Sequence, residues 1–217
     1  MRELILQKLD EMEQTEGIRI LHAVESGSRA WGFPSPDSDY DVRFIYVRTP
    51  EYYLKLEKTR DVIELPINDM LDINGWDLNK TLRLLHSSNP TLFEWMSSPI
   101  VYRQTGFIDR LQPILDDYFS CKSGLWHYLS MAESNYRAYL KGDMVRAKKY
   151  FYVMRPILAC KWILHKGYPP THAVPGSDGQ RAGRLAETHR GASAGSEDER
   201  SGNQGNSKNP GAEPVAG

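Results

Sequence analysis

The chain has 217 residues, of which 40% are hydrophobic, and it carries 27 basic against 28 acidic side chains. This length and composition suit one or two packed domains and exclude a fibre, a collagen or a chain that is disordered throughout. The near-neutral charge excludes a general attraction to nucleic acid or acidic lipid, so binding to a polyanion requires a local cluster of cations.

The sequence gives no sign of a membrane segment or a secretion signal. It contains no apolar run of about 18 residues, the length that a membrane span requires. Its N-terminus, MRELILQKLDEMEQ, is amphipathic and acidic, whereas a signal peptide starts with basic residues followed by an apolar stretch. Its two cysteines have neither the number of a disulfide framework nor the spacing of a zinc site. We therefore expect a cytoplasmic protein that does not contact a membrane.

The hydrophobic pattern predicts a small unit of helices and strands at the start of the chain. Apolar residues on one helical face predict a helix over residues 2–14 that ends near Gly17. Alternating and β-branched residues then predict strands, in chain order, at residues 18–25, 40–47, 61–65 and 70–73. The segment between the first two strands is rich in turn residues.

From Asp77 onward the pattern becomes helical, with long helices expected near residues 104–119, 122–141 and 143–166. From Thr171 to Gly217 there is no Phe, Trp, Tyr, Ile or Met and a single Leu. Such a segment cannot bury enough apolar surface to offset its chain entropy. We therefore predict an α/β domain over residues 1–76, a helical domain over 77–170 and a disordered or aberrant tail over 171–217.

The segment ESGSRAWGFPSPDSDYDV, residues 25–42, combines two features that suit nucleotide chemistry. Gly27 and Ser28 follow a predicted strand, where a turn into a short helix would point backbone N–H groups and a hydroxyl towards a phosphate. Asp39 and Asp41, which begin twelve residues after Gly27, are separated by one residue on a predicted strand and project from the same face. Paired carboxylates beside a bound phosphate suit Mg²⁺. A Gly-Ser turn and an Asp-x-Asp pair are each common, and it is their combination that indicates a site.

This combination resembles the DNA polymerase beta nucleotidyltransferase superfamily, whose signature is Gly-Ser followed by Asp-x-Asp or Asp-x-Glu. Three stretches are similar, more specifically, to the predicted nucleotidyltransferases assigned to an RNA-repair pathway: GSRAWGFPSPDSDYDVRFIYV, LDINGWDLNKTLRLLHSSNPTLFEWMSSPIVY and KKYFYVMRPILACKWIL. The similarity covers about residues 18–170. It implies an α+β fold in which a small mixed β-sheet with flanking helices, the minimal nucleotidyltransferase fold, is followed by a helical unit.

The resemblance also implies catalysis with two Mg²⁺ ions, with Mn²⁺ as a substitute. In that scheme Ser28, in the turn with Gly27, contacts the triphosphate, and Asp39 and Asp41 hold both metals. The ions activate an attacking hydroxyl and neutralise the departing pyrophosphate, so the protein mainly positions the reactants. Arg29, which follows the turn, is assigned equally to a phosphate contact or a structural ion pair.

The superfamily often adds a third carboxylate on a neighbouring strand, which binds the catalytic metal and can act as a base. We choose Asp72, on the short strand before the turn at Gly75. Its rival is Asp77, which precedes a leucine-rich helix and would serve equally as the N-cap of that helix. Glu64 is a third candidate, although a solvated surface position suits it better.

The last predicted helix lies in a segment that is rich in basic residues. Between Arg137 and Lys166 there are eight basic residues and one acidic residue. A basic helix is usually a solvated face, but four side chains here lie three to four residues apart on adjoining faces: Lys148, Lys149, Tyr152 and Arg155. If this helix closes over the cleft, Lys149 or Lys148 would neutralise the triphosphate, Tyr152 would approach the nucleotide and Arg155 would bind phosphate or RNA. Trp31 and Phe33 are expected to pack in the core or the loop rather than to form a platform for a base.

We expect transfer of a nucleoside monophosphate from a nucleoside triphosphate to a hydroxyl, with RNA as the acceptor. One alternative is a transferase that modifies a protein or a small molecule. The other is a non-catalytic nucleotide-binding or partner-binding module. This last alternative is motivated by the segment after Pro170, where proteins of the resembling family continue with structured helix.

Overall fold

Five strands form the central sheet: β1 Arg19–Glu25, β2 Tyr40–Val47, β3 Val62–Glu64, β4 Leu71–Asp77 and β5 Val101–Gln104. Their order across the sheet is β3-β4-β2-β1-β5. Strands β2 and β4 are parallel and the other neighbouring pairs are antiparallel, so the sheet is mixed. The computed structural model describes residues 1–57, 59–65, 70–142 and 144–170, and all of these belong to one compact unit. The predicted α+β class is confirmed.

Eight α-helices occupy the described residues: α1 Arg2–Glu16, α2 Gly27–Ala30, α3 Pro50–Tyr53, α4 Leu78–His86, α5 Pro90–Met96, α6 Phe107–Leu115, α7 Cys121–Tyr139 and α8 Ala147–Lys166. Helix α1 ends as predicted, because Gly17 adopts the left-handed conformation (φ 60°) that closes a helix at low steric cost. None of the described helices combines the length and the apolar character needed to cross a membrane.

The alternation of strand β2 explains how helices cover both faces of the sheet. Val42, Phe44 and Tyr46 are buried on one face, in the cluster that includes the apolar stripe of helix α1. Ile45 points to the other face, where residues of α4, α5 and α6 cover it. Burial of each large apolar side chain contributes about 1.5–3 kcal/mol relative to its exposure, so both layers hold the central strands in place.

Helices α7 and α8 pack against each other through a smaller cluster around Tyr128 and Ile163. Glu94, on α5, connects this pair to the rest of the unit. It accepts a hydrogen bond from the Tyr128 hydroxyl at 2.8 Å, and it lies 3.4 Å from the Arg155 guanidinium on α8. The apolar covering of the sheet and the α7–α8 pair are therefore joined by a polar network.

The prediction of one helix over residues 104–119 is wrong at its start. The chain first forms β5, then α6, and ends with a 3₁₀ turn at Asp116–Tyr118. Strand β5 has four residues at the sheet edge, and its strand conformation depends on pairing with His22 and Ala23 of β1. A pairing between residues so distant in the sequence leaves no local periodicity to detect.

The predicted division at residues 76 and 77 stays a prediction. Strand β5, which follows that boundary, nevertheless pairs with β1. The predicted tail over 171–217 lies outside the described residues.

Candidate functional site

The Gly-Ser turn lies directly against one of the predicted metal-binding carboxylates. Gly27 has a positive φ of 60°, and a Cβ atom at this position would stand 1.9 Å from Oδ2 of Asp41. The turn is joined to strand β2 by a hydrogen bond from the Ser26 N–H to the Asp41 carbonyl at 2.8 Å. Both the backbone conformation and the close approach therefore require glycine.

The Gly-Ser turn also presents hydrogen-bond donors. It opens the four-residue helix α2, and among the described residues neither the Gly27 N–H nor the Ser28 N–H has a hydrogen-bond acceptor. The first N–H groups of any helix lack intrahelical partners. The Ser28 hydroxyl lies 3.2 Å from the Ser38 hydroxyl, so its position is set by the loop that leads into β2.

Asp41 and Asp72 stand side by side on the two parallel strands. In the pairing of β2 with β4, Asp41 is opposite Asp72. The Arg43 guanidinium bridges them, at 3.1 Å from Asp41 Oδ1 and 2.7 Å from Asp72 Oδ2. Both carboxylates therefore converge on a single cation supplied by the chain itself.

Asp39 lies one residue before β2 rather than within it, and it is exposed. Its charge nevertheless acts on Asp41. Burial raises the pKa of Asp41, the charges of Asp39 and Asp72 raise it further, and Arg43 opposes the change. The charges of two carboxylates, Asp39 and Asp72, therefore both act on Asp41. In this conformation, no three His, Cys, Asp or Glu side chains within the described residues are arranged to hold a metal ion.

The structure separates the three candidates for the third carboxylate. Asp72 is beside Asp41, whereas Asp77 accepts a hydrogen bond from the Asn79 N–H at 2.8 Å and caps helix α4. Glu64 is exposed and pairs with Arg60 at 2.8 Å. The neighbouring-strand position that the resemblance implies is therefore occupied by Asp72.

The Arg29 side chain contacts the loop between helix α2 and strand β2. Its guanidinium donates to the carbonyls of Ser38 at 2.7 Å and Asp39 at 3.0 Å. It also stacks on the Tyr40 ring, 3.8 Å from the ring centroid. In this arrangement its contacts are structural, although they are made with carbonyl groups rather than with an acidic side chain.

Sequence reasoning missed Glu25, which is fully buried at the end of β1. Its carboxylate accepts the Asp41 N–H at 2.9 Å and the Tyr102 hydroxyl. Burial raises the pKa of Glu25, against the lowering effect of these two hydrogen bonds. A carboxylate at the end of a predicted strand, two positions before the glycine, was the available signal.

Arg43 was missed as well. It follows Asp41 by two residues and so shares its face of the strand. Because side chains alternate between the two faces of a strand, the spacing of Asp41 and Arg43 was the available signal for a cation beside the carboxylates.

Helix α8 approaches the Gly-Ser turn. Lys148 Nζ lies 3.0 Å from Ser35 Oγ and 3.4 Å from Ser38 Oγ, both in the loop that positions Ser28. Lys149 instead stacks on the rings of Tyr139 and Tyr152, at 3.8 and 4.9 Å from their centroids. Of the two lysines predicted as alternatives, Lys148 is therefore the one that contacts this loop.

A pocket of about 140 Å³ lies between the turn and the last two helices. Its lining comes from three parts of the chain: Gly27, Ser28, Trp31 and Phe33 from the turn and the loop, Met131 and Asn135 from α7, and Tyr152 and Arg155 from α8. The structure thus brings two of the predicted α8 residues to the same pocket as the Gly-Ser turn.

Comparison with known families agrees with this geometry. The profile of RlaP, the RNA repair pathway DNA polymerase beta family, matches residues 1–187. The chain belongs to this family. The match is wider than the similarity over residues 18–170, because it also includes helix α1 and extends beyond Pro170.

A relative from Bacillus subtilis strain 168, the uncharacterized protein YcgL, is 53% identical over 171 residues. The match covers 78% of this chain and 66% of the relative, so the chain spans slightly less than two thirds of that protein. A solved nucleotidyltransferase-like protein from Exiguobacterium sibiricum 255-15 is similar at 15% identity with a TM-score of 0.34, over 82% of this chain and 62% of its own.

Proposed function

We propose that this family member is a metal-dependent nucleotidyltransferase that transfers a nucleoside monophosphate from a nucleoside triphosphate to a hydroxyl. One observation carries the proposal. The Asp41 carboxylate lies against Gly27 and is opposite Asp72 on the neighbouring strand. A turn suited to phosphate and a carboxylate pair suited to a divalent cation therefore meet at one point.

Asp41 and Asp72, together with Asp39, would hold Mg²⁺ or Mn²⁺. The donor set fits, because two of these carboxylates already converge on one cation, the Arg43 guanidinium. When bound, the metal ions would stabilise the negative charge of the triphosphate and activate the attacking hydroxyl. Metal binding at this place requires that Arg43 give up at least one of its two ion pairs.

The side chains of the turn and of α8 bind and orient the triphosphate. The Gly27 and Ser28 N–H groups and the Ser28 hydroxyl donate to phosphate oxygens. Lys148, which reaches the loop beside Ser28, supplies positive charge. Tyr152 and Arg155 close the pocket on its α8 side.

The transfer itself exchanges one P–O bond for another. The acceptor oxygen bonds to the α-phosphorus, and the bond from that phosphorus to the pyrophosphate oxygen breaks. Asp72 accepts the proton of the attacking hydroxyl. Positioning and charge stabilisation supply most of the rate enhancement that such a reaction needs.

The proposed acceptor is RNA. The family description refers to an RNA repair pathway, and the basic residues of α8 give the chain a local cluster of cations despite its near-neutral charge. Backbone phosphates bind such clusters without reading a base sequence.

The test is pyrophosphate release with each of the four ribonucleoside triphosphates, Mg²⁺ or Mn²⁺, and total cellular RNA as acceptor. The double variant Asp39→Ala, Asp41→Ala is expected to abolish release. The matched control is Asp109→Ala, Asp117→Ala, which removes two exposed carboxylates outside the pocket and is expected to preserve it.

Other results would identify another function. Metal-dependent triphosphate binding without release, with RNA present, would favour a non-catalytic nucleotide-binding module, an alternative supported by the Arg43 bridge across the carboxylates. Pyrophosphate release with a protein or small-molecule acceptor, and not with RNA, would support the transfer reaction but show that RNA is not the acceptor. Equal release by the chain and by its Asp39→Ala, Asp41→Ala variant would contradict the proposed site.

A further inference from the structure

A second cavity, of about 440 Å³, adjoins the Gly27–Ser28 pocket. Aromatic and aliphatic side chains form most of its wall, principally Trp31, Phe33, Phe151, Met154, Leu158 and Trp162. Its volume lies within the range of about 300–1,000 Å³ that is typical of small-molecule sites. We call it the aromatic cavity.

The aromatic cavity lies next to the pocket at the Gly-Ser turn, because Trp31, Phe33 and Arg155 line both. Trp31 follows directly after the four residues of helix α2, which begins at Gly27. At about 1.5 Å per residue, this helix separates the turn from Trp31 by about 6 Å. A ligand with its phosphates at the turn therefore reaches the aromatic cavity with the group attached to them.

Aromatic side chains of the cavity wall contact one another and leave the wall lined by ring surfaces. Phe33 and Phe151 are stacked, with ring centroids 5.6 Å apart and an interplanar angle of 18°. The Arg155 guanidinium lies over the Trp31 ring at 4.7 Å from its centroid. Trp31 and Phe33 do pack, as the sequence predicted, but they pack against helix α8 around a cavity rather than within a core.

The apolar side chains of α8 around this cavity are exposed. Phe151 is 53% exposed, Met154 49% and Leu158 57%. These side chains belong to none of the three apolar clusters formed by the described residues. An aromatic ligand that covered them would remove apolar surface from water, which favours binding.

From this geometry we infer that the aromatic cavity binds the nucleobase of the triphosphate, chiefly by stacking and apolar contact. The inference rests on the proposed function and specifies how that site recognises its substrate. The charged side chain among its described lining residues is Arg155, which is already paired with Glu94 and stacked on Trp31. Stacking and apolar contact do not read the edge of a base, so the affinities for the four bases should differ only modestly, with purines slightly ahead because they offer the larger stacking surface.

The test measures the affinity of the full chain for the four nucleoside triphosphates and for inorganic tripolyphosphate, by calorimetry with Mg²⁺ and without acceptor RNA. The variants are Phe151→Ala and Leu158→Ala. The matched control is Leu164→Ala, which removes an exposed leucine from the same helix outside the cavity. Thermal unfolding of each variant checks that it is folded.

We expect the chain to bind each nucleoside triphosphate more tightly than tripolyphosphate. Phe151→Ala and Leu158→Ala are expected to weaken nucleoside triphosphate binding about tenfold, the usual scale for loss of a base contact. Neither substitution should change tripolyphosphate binding, and Leu164→Ala should change neither affinity.

Three results would overturn the inference. Unchanged nucleoside triphosphate binding by folded Phe151→Ala and Leu158→Ala would refute the cavity as the base site while leaving the proposed function in place. Self-association that these variants abolish, without any change in nucleotide affinity, would make the cavity a contact between copies. Binding of neither nucleoside triphosphate nor tripolyphosphate by the unmodified chain would refute the proposed function, and the inference with it.

Discussion

At the scale of single residues, the candidate site depends on the absence of a side chain at Gly27. Its positive φ costs any other L-residue about 1–2 kcal/mol. A Cβ atom there would also overlap the Asp41 carboxylate. Gly32 provides a comparison, because it too has a positive φ, of 79°, but no described atom lies within 4 Å of the position that its Cβ would take.

Alanine substitution separates these two effects. We expect Gly32→Ala to lower the free energy of unfolding by about 1–2 kcal/mol, because it places alanine at a positive φ. Gly27→Ala carries the same cost and, in addition, the cost of moving the Asp41 carboxylate away from the new Cβ atom. Only Gly27→Ala displaces Asp41, and under the proposed function a displacement of about 1 Å is expected to lower the rate of pyrophosphate release about 100-fold. Chemical denaturation and pyrophosphate release are the two measurements. Equal loss of activity in both variants would show that contact between Gly27 and Asp41 is unimportant.

The types and spacing of Asp39 and Asp41 predict this pair from the sequence alone, whereas Asp72 was chosen from the resemblance with Asp77 as its rival, and it is the pairing of β2 with β4 that brings Asp72 opposite Asp41. The sequence was not sufficient for Glu25, whose role depends on a hydrogen bond from Tyr102, a residue 77 positions away. Nor did it distinguish Lys148 from Lys149. Adjacent residues on a helix point in directions about 100° apart, and only the packing of the helix decides which one reaches the loop.

At the scale of elements, the α7–α8 pair must stay docked on α5 for Tyr152 and Arg155 to reach the turn. The Glu94 carboxylate makes this connection, through the Tyr128 hydroxyl on α7 and the Arg155 guanidinium on α8. Tyr128 is 1% exposed, so loss of its hydrogen bond leaves Glu94 with one of its two partners.

Tyr128→Phe removes that hydrogen bond and retains the ring. We expect the free energy of unfolding to fall by about 1.5–3 kcal/mol, the usual value for a hydrogen bond to a charged group. Tyr136→Phe is the matched control, because Tyr136 lies on the same helix, is 53% exposed and should tolerate the change. Denaturant unfolding measures both variants. A loss from Tyr136→Phe as large as that from Tyr128→Phe would contradict a specific role for the Glu94 network.

The strands also show which elements can be predicted from local sequence signals. Strand β2 was predicted with its observed limits, Tyr40–Val47, because alternation and β-branching are local signals. Strand β5 was missed because its strand conformation arises from pairing across the sheet. The five-stranded order, which places Asp72 beside Asp41, likewise depends on contacts between distant segments.

At the scale of the whole molecule, His22 couples stability to pH. It lies on the internal strand β1 with 4% exposure. Burial lowers its pKa from 6.5 to about 4, against the opposing effect of a hydrogen bond with the Arg103 backbone. Between these two values the unfolded chain binds a proton that the folded chain does not. The contribution of neutral His22 to the free energy of unfolding is therefore fully present above pH 6.5. It is lost as the pH falls from 6.5 towards 4.

His22→Leu removes this titration. Between pH 7 and pH 4.5, we expect the unmodified chain to lose about 2 kcal/mol more of its free energy of unfolding than the variant loses. Denaturant unfolding of both proteins at the two pH values measures the difference, and other titrating groups largely cancel in the comparison. A variant that lost as much stability as the unmodified chain would show that His22 titrates normally in the folded state.

The central claim is that the carboxylates now bridged by Arg43 belong to a metal and triphosphate site. The most direct measurement is a crystal structure with Mn²⁺ and a non-hydrolysable nucleoside triphosphate, in which anomalous scattering locates the metal. We predict a Mn²⁺ peak bonded to the Asp41 and Asp72 carboxylates, with the Arg43 guanidinium no longer joining them and the phosphates at Gly27 and Ser28. Arg43 still bridging both carboxylates, with no Mn²⁺ beside them and the triphosphate elsewhere, would contradict the account.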